Sequence, residues 1–164
     1  MEKHFATSGF IVNESSTKLL MVYHKKLETW LIPGGHLEPD EEPVDGVIRE
    51  VLEETGVSIK VIDASFLPGV VDSKKESAIP NPYLMLKEFI PEKGDKPAHI
   101  HIDFIFLGMA DENEVIKKQE AEVNEVKWFD LSEVLEMDTF ESIKKIARTV
   151  LEKGGVLKCV NSDL

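Results

Sequence analysis

Three glutamates crowd the end of one predicted helix. Glu50, Glu53 and Glu54 lie within the stretch REVLEETG, residues 49–56. Glu50 and Glu54 are like charges four residues apart, which costs roughly 0.2–0.5 kcal/mol in a helix. Anions near a helix C-terminus also oppose the macrodipole, at roughly 0.3–1 kcal/mol each. A solvated acidic face gains nothing from this arrangement, whereas Mg²⁺ or Mn²⁺ bound by the carboxylate oxygens would offset it. The spacing therefore indicates a divalent-cation site.

The helix that carries these glutamates is predicted to run from Pro43 to about Glu54, with Gly56 just past its end. Apolar residues recur at the spacing of one helix face, which we expect to pack on the core. At about 100° per residue, the glutamates project from the opposite side. Gly46 lies one turn before them, and we expect it to leave room for a metal-bound phosphate. The apolar face consists of Val44, Val47, Ile48, Val51 and Leu52.

The segment around this helix resembles the box that defines the Nudix hydrolases. Their pattern is G-x5-E-x7-R-E-U-x-E-E-x-G-U, with U apolar. Gly35, Glu41 and the run from Arg49 to Val57 match every specified position, nine positions over 23 residues. WLIPGG before the box and EVKWFDLSEV near the end are also similar to Nudix sequences, so the resemblance spans residues 5–152. It implies an α/β fold, an α/β/α sandwich around a mixed sheet with the box as a loop–helix–loop.

The resemblance also implies an activity. Nudix hydrolases use Mg²⁺ or Mn²⁺ to hydrolyse a nucleoside diphosphate linked to another moiety, by attack of water on phosphorus. Glu50, Glu53 and Glu54 match the metal-binding glutamates, and the backbone carbonyl of Gly35 often completes the coordination in relatives. Glu41 and Arg49 match positions that pair and orient the box, and Gly56 closes its helix. At position 46 relatives often have alanine, another small residue.

The general base is a box glutamate in some relatives and a distant loop glutamate in others. Glu50 and Glu53 are the candidates within the box. Outside it, Glu122 lies six residues before Trp128, which matches a loop glutamate that reaches the metals in some relatives. Glu120 is the next choice. The alternative is that these loop acids are ordinary surface charges.

Several residues outside the box are candidates for contacts with the substrate. His99, His101 and Asp103 alternate along the predicted strand HIHIDFIF and share one face. This face is expected to line the cleft or to meet solvent, because two histidines and an aspartate do not define a zinc site without a further ligand. His36 follows Gly35 and is either a phosphate contact or a simple loop residue. Two aromatic residues could stack on a base or belong to the core; they are Trp30 and Tyr83.

The remaining chain reads as short strands followed by a helix. A single domain is expected over residues 1–153, with a weakly held tail over residues 154–164. The loop WLIPGGHLEPDEEP is predicted at residues 30–43, and an amphipathic helix at residues 139–153. Strands are predicted at residues 5–12, 18–25, 57–71, 82–90, 99–109 and 125–131, and the fourth and fifth of these form a hairpin.

Composition limits the partners that we expect. The 164 residues carry a formal net charge of −12, and no basic cluster indicates nucleic-acid binding. No apolar stretch approaches the roughly 20 residues of a membrane helix, and no secretory signal is recognisable. The only cysteine, Cys159, suits a cytoplasmic location. We therefore expect a small-molecule nucleotide substrate, no membrane or nucleic-acid partner, and a monomer or homodimer.

Two alternatives to hydrolysis stay open at this point. An isomerase on the same fold, like the isopentenyl diphosphate isomerases that resemble Nudix proteins, needs a reactive cysteine in its active site. Cys159 lies in the tail and is a poor candidate. A non-catalytic, nucleotide-binding sensor is the other alternative, but such proteins commonly lose box glutamates that this chain retains. The small single domain favours a compact substrate such as a nucleoside triphosphate.

Overall fold

The computed structural model of the protein describes residues 1–65, 73–92, 94, 97–119, 121 and 123–160. These residues form strands and helices in an α/β arrangement. The strands are β1 (Lys3–Asn13), β2 (Lys18–His24), β3 (Thr29–Leu31), β4 (Gly34–His36), β5 (Lys60–Ile62), β6 (Leu84–Ile90), β7 (His99–Ala110) and β8 (Val123–Asp130). The helices are α1 (Pro43–Thr55), α2 (Leu131–Val134), α3 (Glu141–Lys153) and α4 (Val156–Val160).

All of these strands belong to one mixed sheet. Its main path runs β3-β2-β1-β7-β5, while β4 pairs with β1, β6 with β7 and β8 with β2. The central strands β1 and β7 are parallel over eleven residue pairs, from Lys3 opposite Ile100 to Asn13 opposite Ala110. The other pairings are antiparallel. The mixed sheet expected from the sequence is therefore confirmed.

Helices cover both faces of the sheet. Successive residues of β1 point to opposite faces, so they pack against different helices. Ile11 lies in one buried cluster with Val47 and Val51 of α1. Phe10 and Val12 lie in a second cluster, together with the buried side chains of α2, α3 and α4. The result is the α/β/α layering predicted from the sequence, with α1 alone on its side among the described helices.

The sequence located the long elements and missed the short ones. The predicted hairpin is confirmed, since β6 and β7 pair antiparallel from Leu84 opposite Ile105 to Ile90 opposite His99. The strand predicted at residues 57–71 is wrong over most of its described part, where only Lys60–Ile62 pair, and residues 66–71 lie outside the described residues. The loop predicted at residues 30–43 contains most of β3 and all of β4, because β2 and β1 supply backbone partners there.

The predicted amphipathic helix is α3. Ile143, Ile146, Ala147 and Val150 are buried as expected. Leu151 and Phe140 are exposed, the latter because it precedes the helix as its N-cap residue. Within the described part of the chain, no helix is long and apolar enough to span a membrane.

The C-terminal segment packs more firmly than expected. Residues 156–160 form α4, and Val156 and Cys159 are buried in the same cluster as α3. The expectation of a weakly held tail is wrong for these residues, because their two apolar side chains three positions apart face the core together. Gly154 and Gly155, both at positive φ, make the turn that brings α4 back onto the sheet. The domain boundary at residue 153 stays a prediction.

This packing predicts that Val156→Ala destabilises the protein. Val156 is fully buried, so the loss of two methyl groups should lower the free energy of unfolding by about 2 kcal/mol. Leu157→Ala is the control in the same helix, since Leu157 is half exposed and its truncation should cost less than about 0.5 kcal/mol. Urea unfolding of both variants measures the difference. Equal shifts in the two midpoints would mean that α4 is not docked.

Candidate active site

Helix α1 turns two of its three glutamates toward the protein interior. Glu50 and Glu54 are only 9% and 2% exposed, whereas Ile48 and Leu52 are 39% and 48% exposed. The predicted apolar face is therefore wrong at Ile48 and Leu52, and the carboxylates do not lie opposite the buried face. The helix is rotated so that its acidic side meets the sheet, which a hydrophobic pattern alone does not encode.

The partner of these carboxylates is the glycine strand β4. The backbone N–H of Gly34 donates to Oε2 of Glu54 at 3.0 Å. A Cβ atom at Gly35 would lie 2.5 Å from the Glu50 carboxylate, so a side chain at position 35 would collide with it. Glycine therefore lets the backbone approach the acid closely, which places the Gly35 main chain and a carboxylate at one site. Carboxylates beside a peptide carbonyl are the oxygen ligands that Mg²⁺ and Mn²⁺ prefer, so these residues fit the expected metal.

Arg49 holds the acidic cluster together. Its Nε and Nη2 donate to the two carboxylate oxygens of Glu41 at 2.7 and 2.8 Å. Nη1 donates to Glu50 at 2.8 Å and to Glu53 at 3.3 Å, and Nη2 also donates to the backbone carbonyl of His36 at 3.1 Å. The hydrogen bonds from Arg49 hold the pKa of Glu41 below its usual range and raise the pKa of Arg49. The pairing of Glu41 with Arg49 thus fixes α1, its preceding loop and β4 in one arrangement.

Glu53 completes the group at its open side. Its side chain is 49% exposed, compared with 12% for Glu50. The structure therefore brings Glu50, Glu53, Glu54 and Gly35 together, with two carboxylates fixed in the interior and one at the surface. Gly56 ends α1 in the left-handed conformation, with φ of 74°, and its N–H donates to the Leu52 carbonyl at 2.8 Å.

Gly46 has a different role from the one expected. A Cβ atom there would collide with Leu37 and lie 3.1 Å from Thr7. The missing side chain therefore allows α1 to pack closely on β1 and on the preceding loop. The expectation of space for a phosphate at this position is wrong.

The similarity of the chain to known proteins identifies its family. The family model described as the NUDIX domain matches residues 2–150. This chain belongs to the Nudix family. A hydrolase of the NUDIX family from Clostridium perfringens has the same fold, with a TM-score of 0.71 at 24% identity over 93% of this chain and 98% of that one.

Curated relatives match around the Nudix box. A MutT-like protein of Streptomyces ambofaciens is 45% identical over 56 residues, 34% of this chain and 36% of that protein. Human diphosphoinositol polyphosphate phosphohydrolase 2 is 40% identical over 60 residues, 37% of this chain and 33% of that protein. The matches span about a third of the length of these relatives. The name of the second relative describes a phosphohydrolase of diphosphoinositol polyphosphates, which agrees with the class expected from the sequence, a pyrophosphohydrolase.

Not every predicted residue lies beside the Nudix box. Glu120 and Glu122 are outside the described residues, so the loop glutamate stays a prediction. Trp30 packs edge-on against Phe129, with ring centroids 4.7 Å apart, and belongs to the core on the side of α3. Tyr83 packs against the same core and lines an open cavity of about 520 Å³ with Cys159. Stacking of Trp30 or Tyr83 on a base stays a prediction.

Asp103 lies on the same face of β7 as His101, as predicted, but its side chain is buried. It is 5% exposed, and its Oδ2 accepts a hydrogen bond from Ser8 at 2.8 Å. Oδ1 has no hydrogen-bond partner among the described residues. Burial raises the pKa of Asp103 to about 6, and burial together with the charge of Asp103 raises the pKa of Glu88 to about 7. Burial and the neighbouring histidines lower the pKa of His101 to about 4, which keeps its imidazole neutral at pH 7.

His101 belongs to a cluster of four histidines. One ring nitrogen from each of His4, His36, His99 and His101 lies within 4.8 Å of one from each of the others. The sequence paired His99 with His101 correctly but missed His4. His4 could be placed in the cluster only from the parallel pairing of β1 with β7, which sets His4 opposite His101. Neither strand alone predicts this pairing.

The Glu41–Arg49 pair predicts a pH-dependent loss of stability in Glu41→Gln. The folded-state pKa of Glu41 is lowered, so its contribution is complete above the unfolded value of about 4.5 and disappears as the pH falls through the folded value. In metal-free buffer at pH 7, the variant should lose about 1–3 kcal/mol of unfolding free energy. The difference from wild type should shrink with acidification.

Glu38→Gln is the control for this experiment, because Glu38 is an exposed acid in the same loop. Its unfolding free energy should stay within about 0.5 kcal/mol of wild type. Denaturant unfolding from pH 3 to pH 7 measures both variants. A Glu41→Gln deficit that is constant across this range would contradict the charged pairing.

Proposed function

We propose that this protein is a divalent-metal-dependent pyrophosphohydrolase acting on a nucleoside diphosphate linked to another moiety. The observation that carries the proposal is the placement of Glu50 and Glu54 against the glycine strand β4, with Glu53 at the open rim. Buried acids are costly unless a partner compensates them, and this arrangement matches what a hard cation requires. Membership of the Nudix family supports the same conclusion.

The ligands proposed for Mg²⁺ or Mn²⁺ are Glu50, Glu53, Glu54 and the backbone carbonyl of Gly35. When bound, the ion supplies positive charge that neutralises the phosphates and makes a water molecule more acidic. Arg49 holds Glu50 and Glu53 in place through its contacts at 2.8 and 3.3 Å. A neighbouring carboxylate accepts the proton from the attacking water, and the candidates are Glu53, Glu50 and the loop residue Glu122.

The proposed reaction breaks one phosphoanhydride bond. Water adds to phosphorus, its proton passes to the carboxylate base, and the bridging oxygen leaves with the second phosphoryl group. The products are a nucleoside monophosphate and phosphate, pyrophosphate or a phosphorylated group. We favour a nucleoside triphosphate or similar small nucleotide, because a small single domain suits a compact substrate, although the likeness to a diphosphoinositol polyphosphate phosphohydrolase argues for a broad substrate panel.

The two alternatives receive less support. Cys159 is buried in the core on the α3 side, while the box helix packs on the other face, so a cysteine-dependent isomerase does not fit this site. A sensor without activity would not need all three box glutamates. A cytoplasmic location, the absence of a membrane or nucleic-acid partner, and a monomeric or homodimeric state stay predictions.

A substrate panel tests the proposed activity. Nucleoside triphosphates, 8-oxo-dGTP, ADP-ribose, dinucleoside polyphosphates and diphosphoinositol polyphosphates are incubated with Mg²⁺, with Mn²⁺ or with EDTA. We expect release of a phosphate-containing product that depends on the divalent ion. Turnover that persists in EDTA would contradict a metal-dependent reaction, and metal binding without turnover of any compound would favour the binding protein.

Glu53→Gln is predicted to lower kcat at least about a hundredfold, because it removes a proposed ligand and candidate base. The free energy of unfolding of the metal-free protein should change by less than about 1 kcal/mol, since relief of repulsion and loss of the Arg49 contact offset one another. Steady-state kinetics on the preferred substrate measures the effect.

Glu152→Gln is the matched control, because it removes the same charge from the last turn of α3. It should leave kcat unchanged within about twofold, since Glu152 lies on a helix that packs against the opposite face of the sheet from α1. A Glu53→Gln enzyme with the turnover of Glu152→Gln would remove Glu53 from the site.

A further inference from the structure

The four-histidine cluster lies apart from the box carboxylates. Gly35 and His36 are consecutive in β4, so their side-chain directions point to opposite faces of the sheet. The Gly35 position meets Glu50 on the α1 face, whereas His36 lies beside His4, His99 and His101 on the other face. The sheet itself therefore separates the two groups of ligands, and what is argued for the histidines does not depend on the proposed hydrolase activity.

Backbone pairing explains why the four rings meet. β1 and β7 are parallel with His4 opposite His101, and β4 joins the other edge of β1 with His36 opposite Ala6. His99 lies two residues from His101 on the same face of β7. Four of the five histidines in the chain thus converge from three strands, although they are as far apart in sequence as residues 4 and 101.

The ring nitrogens face each other in pairs. His99 Nε2 is 3.1 Å from His101 Nε2, and His4 Nδ1 is 3.4 Å from His36 Nε2. Ligand nitrogens around a tetrahedral Zn²⁺ are about 3.3 Å apart, given Zn–N bonds of about 2.0–2.1 Å. The two close pairs already have this spacing. The other pairs lie within 4.8 Å, so the rings must draw somewhat closer to one another to close the shell.

The outward nitrogens of three rings face oxygen atoms. His99 Nδ1 is 3.0 Å from the Pro97 carbonyl, which can only accept a hydrogen bond, so Nδ1 is the donor and Nε2 is the nitrogen that can offer a lone pair to a metal ion. His101 Nδ1 faces Glu88 at 3.9 Å, and His4 Nε2 faces Glu2 at 3.6 Å. Such outer carbonyls and carboxylates orient the imidazoles of metal sites. The inner nitrogens of His99 and His101 repel one another unless a proton or a metal ion lies between them.

We propose that His4, His36, His99 and His101 form a binding site for a divalent transition-metal ion of the Zn²⁺ type. Imidazole ligands favour Zn²⁺, Co²⁺, Ni²⁺ and Cu²⁺ over Mg²⁺, which takes oxygen ligands. The bound ion clamps the start of β1 and β4 onto β7. Because β4 also carries Gly35, the clamp stiffens the strand against which the box carboxylates are packed.

Cobalt is the probe that distinguishes this site from the carboxylates. Untagged protein is titrated with Co²⁺ in excess Mg²⁺, so that the oxygen ligands are occupied, and the visible absorption is recorded. Four-coordinate Co²⁺ with nitrogen ligands absorbs strongly, whereas six-coordinate Co²⁺ with oxygen ligands absorbs weakly. We expect the strong spectrum at about one ion per chain, its loss on addition of Zn²⁺, and a rise in Tm with Zn²⁺.

His36→Ala and His99→Ala should each weaken Co²⁺ and Zn²⁺ binding by more than about tenfold. His36 is exposed, so its replacement tests the site without disturbing the core, and circular dichroism checks the fold of both variants. His24→Asn is the control, because His24 is the fifth histidine and lies in β2 outside the cluster. A weak, octahedral spectrum in wild type, or binding by His36→Ala equal to that of His24→Asn, would overturn the proposal and leave a shared proton between the rings.

Discussion

Two carboxylates buried between a helix and the sheet impose the constraint on which the site depends. An ionised carboxylate loses several kcal/mol of hydration when it is buried, and only a hydrogen-bonded or charged partner restores that energy. Glu50 and Glu54 find such partners in Arg49 and in the backbone N–H of Gly34. The contact of Gly34 with Glu54 requires α1 and β4 to meet at close range. Glycine at position 35 makes that approach possible, because a side chain there would collide with Glu50. Gly34 lets β4 approach β1, and Gly46 lets α1 pack on β1 and on the preceding loop.

The arginine at the centre of the cluster links local structure to chemistry. A guanidinium group presents several donors in a fixed fork, so Arg49 can hold Glu41 through two hydrogen bonds and still contact Glu50 and Glu53. The single positive charge of Arg49 is balanced by Glu41 and cannot also neutralise the three box glutamates. The excess negative charge at the end of α1 would favour a divalent cation there, and it connects a costly arrangement in the metal-free protein with the proposed function.

The sequence predicted the parts of the site that lie within one continuous segment. The Nudix box from Gly35 to Val57 is recognisable from the spacing of its residues. The structure confirms the helix, its glycine end and the pairing of Glu41 with Arg49. The rotation of α1 was predicted wrongly at Ile48 and Leu52, because buried glutamates cannot be recognised by a method that assigns apolar residues to the core.

Features built from distant strands could not be predicted. The parallel pairing of β1 with β7 follows from the whole sheet, so neither the position of His4 beside His101 nor the four-histidine cluster was accessible from local patterns. For the same reason, the short strand β4 was read as a loop, since its three residues pair only because β1 lies beside them. Docking of α4 depends likewise on core surface that α3 and the sheet provide.

The central claim is that the end of α1 and the Gly35 backbone bind divalent metal. Crystals of the protein soaked in Mn²⁺, with diffraction collected at the manganese absorption edge, test it most directly. We predict anomalous peaks beside the carboxylates of Glu50, Glu53 and Glu54 and within coordination distance of the Gly35 carbonyl. Manganese bound elsewhere, with no peak at these carboxylates, would contradict the account.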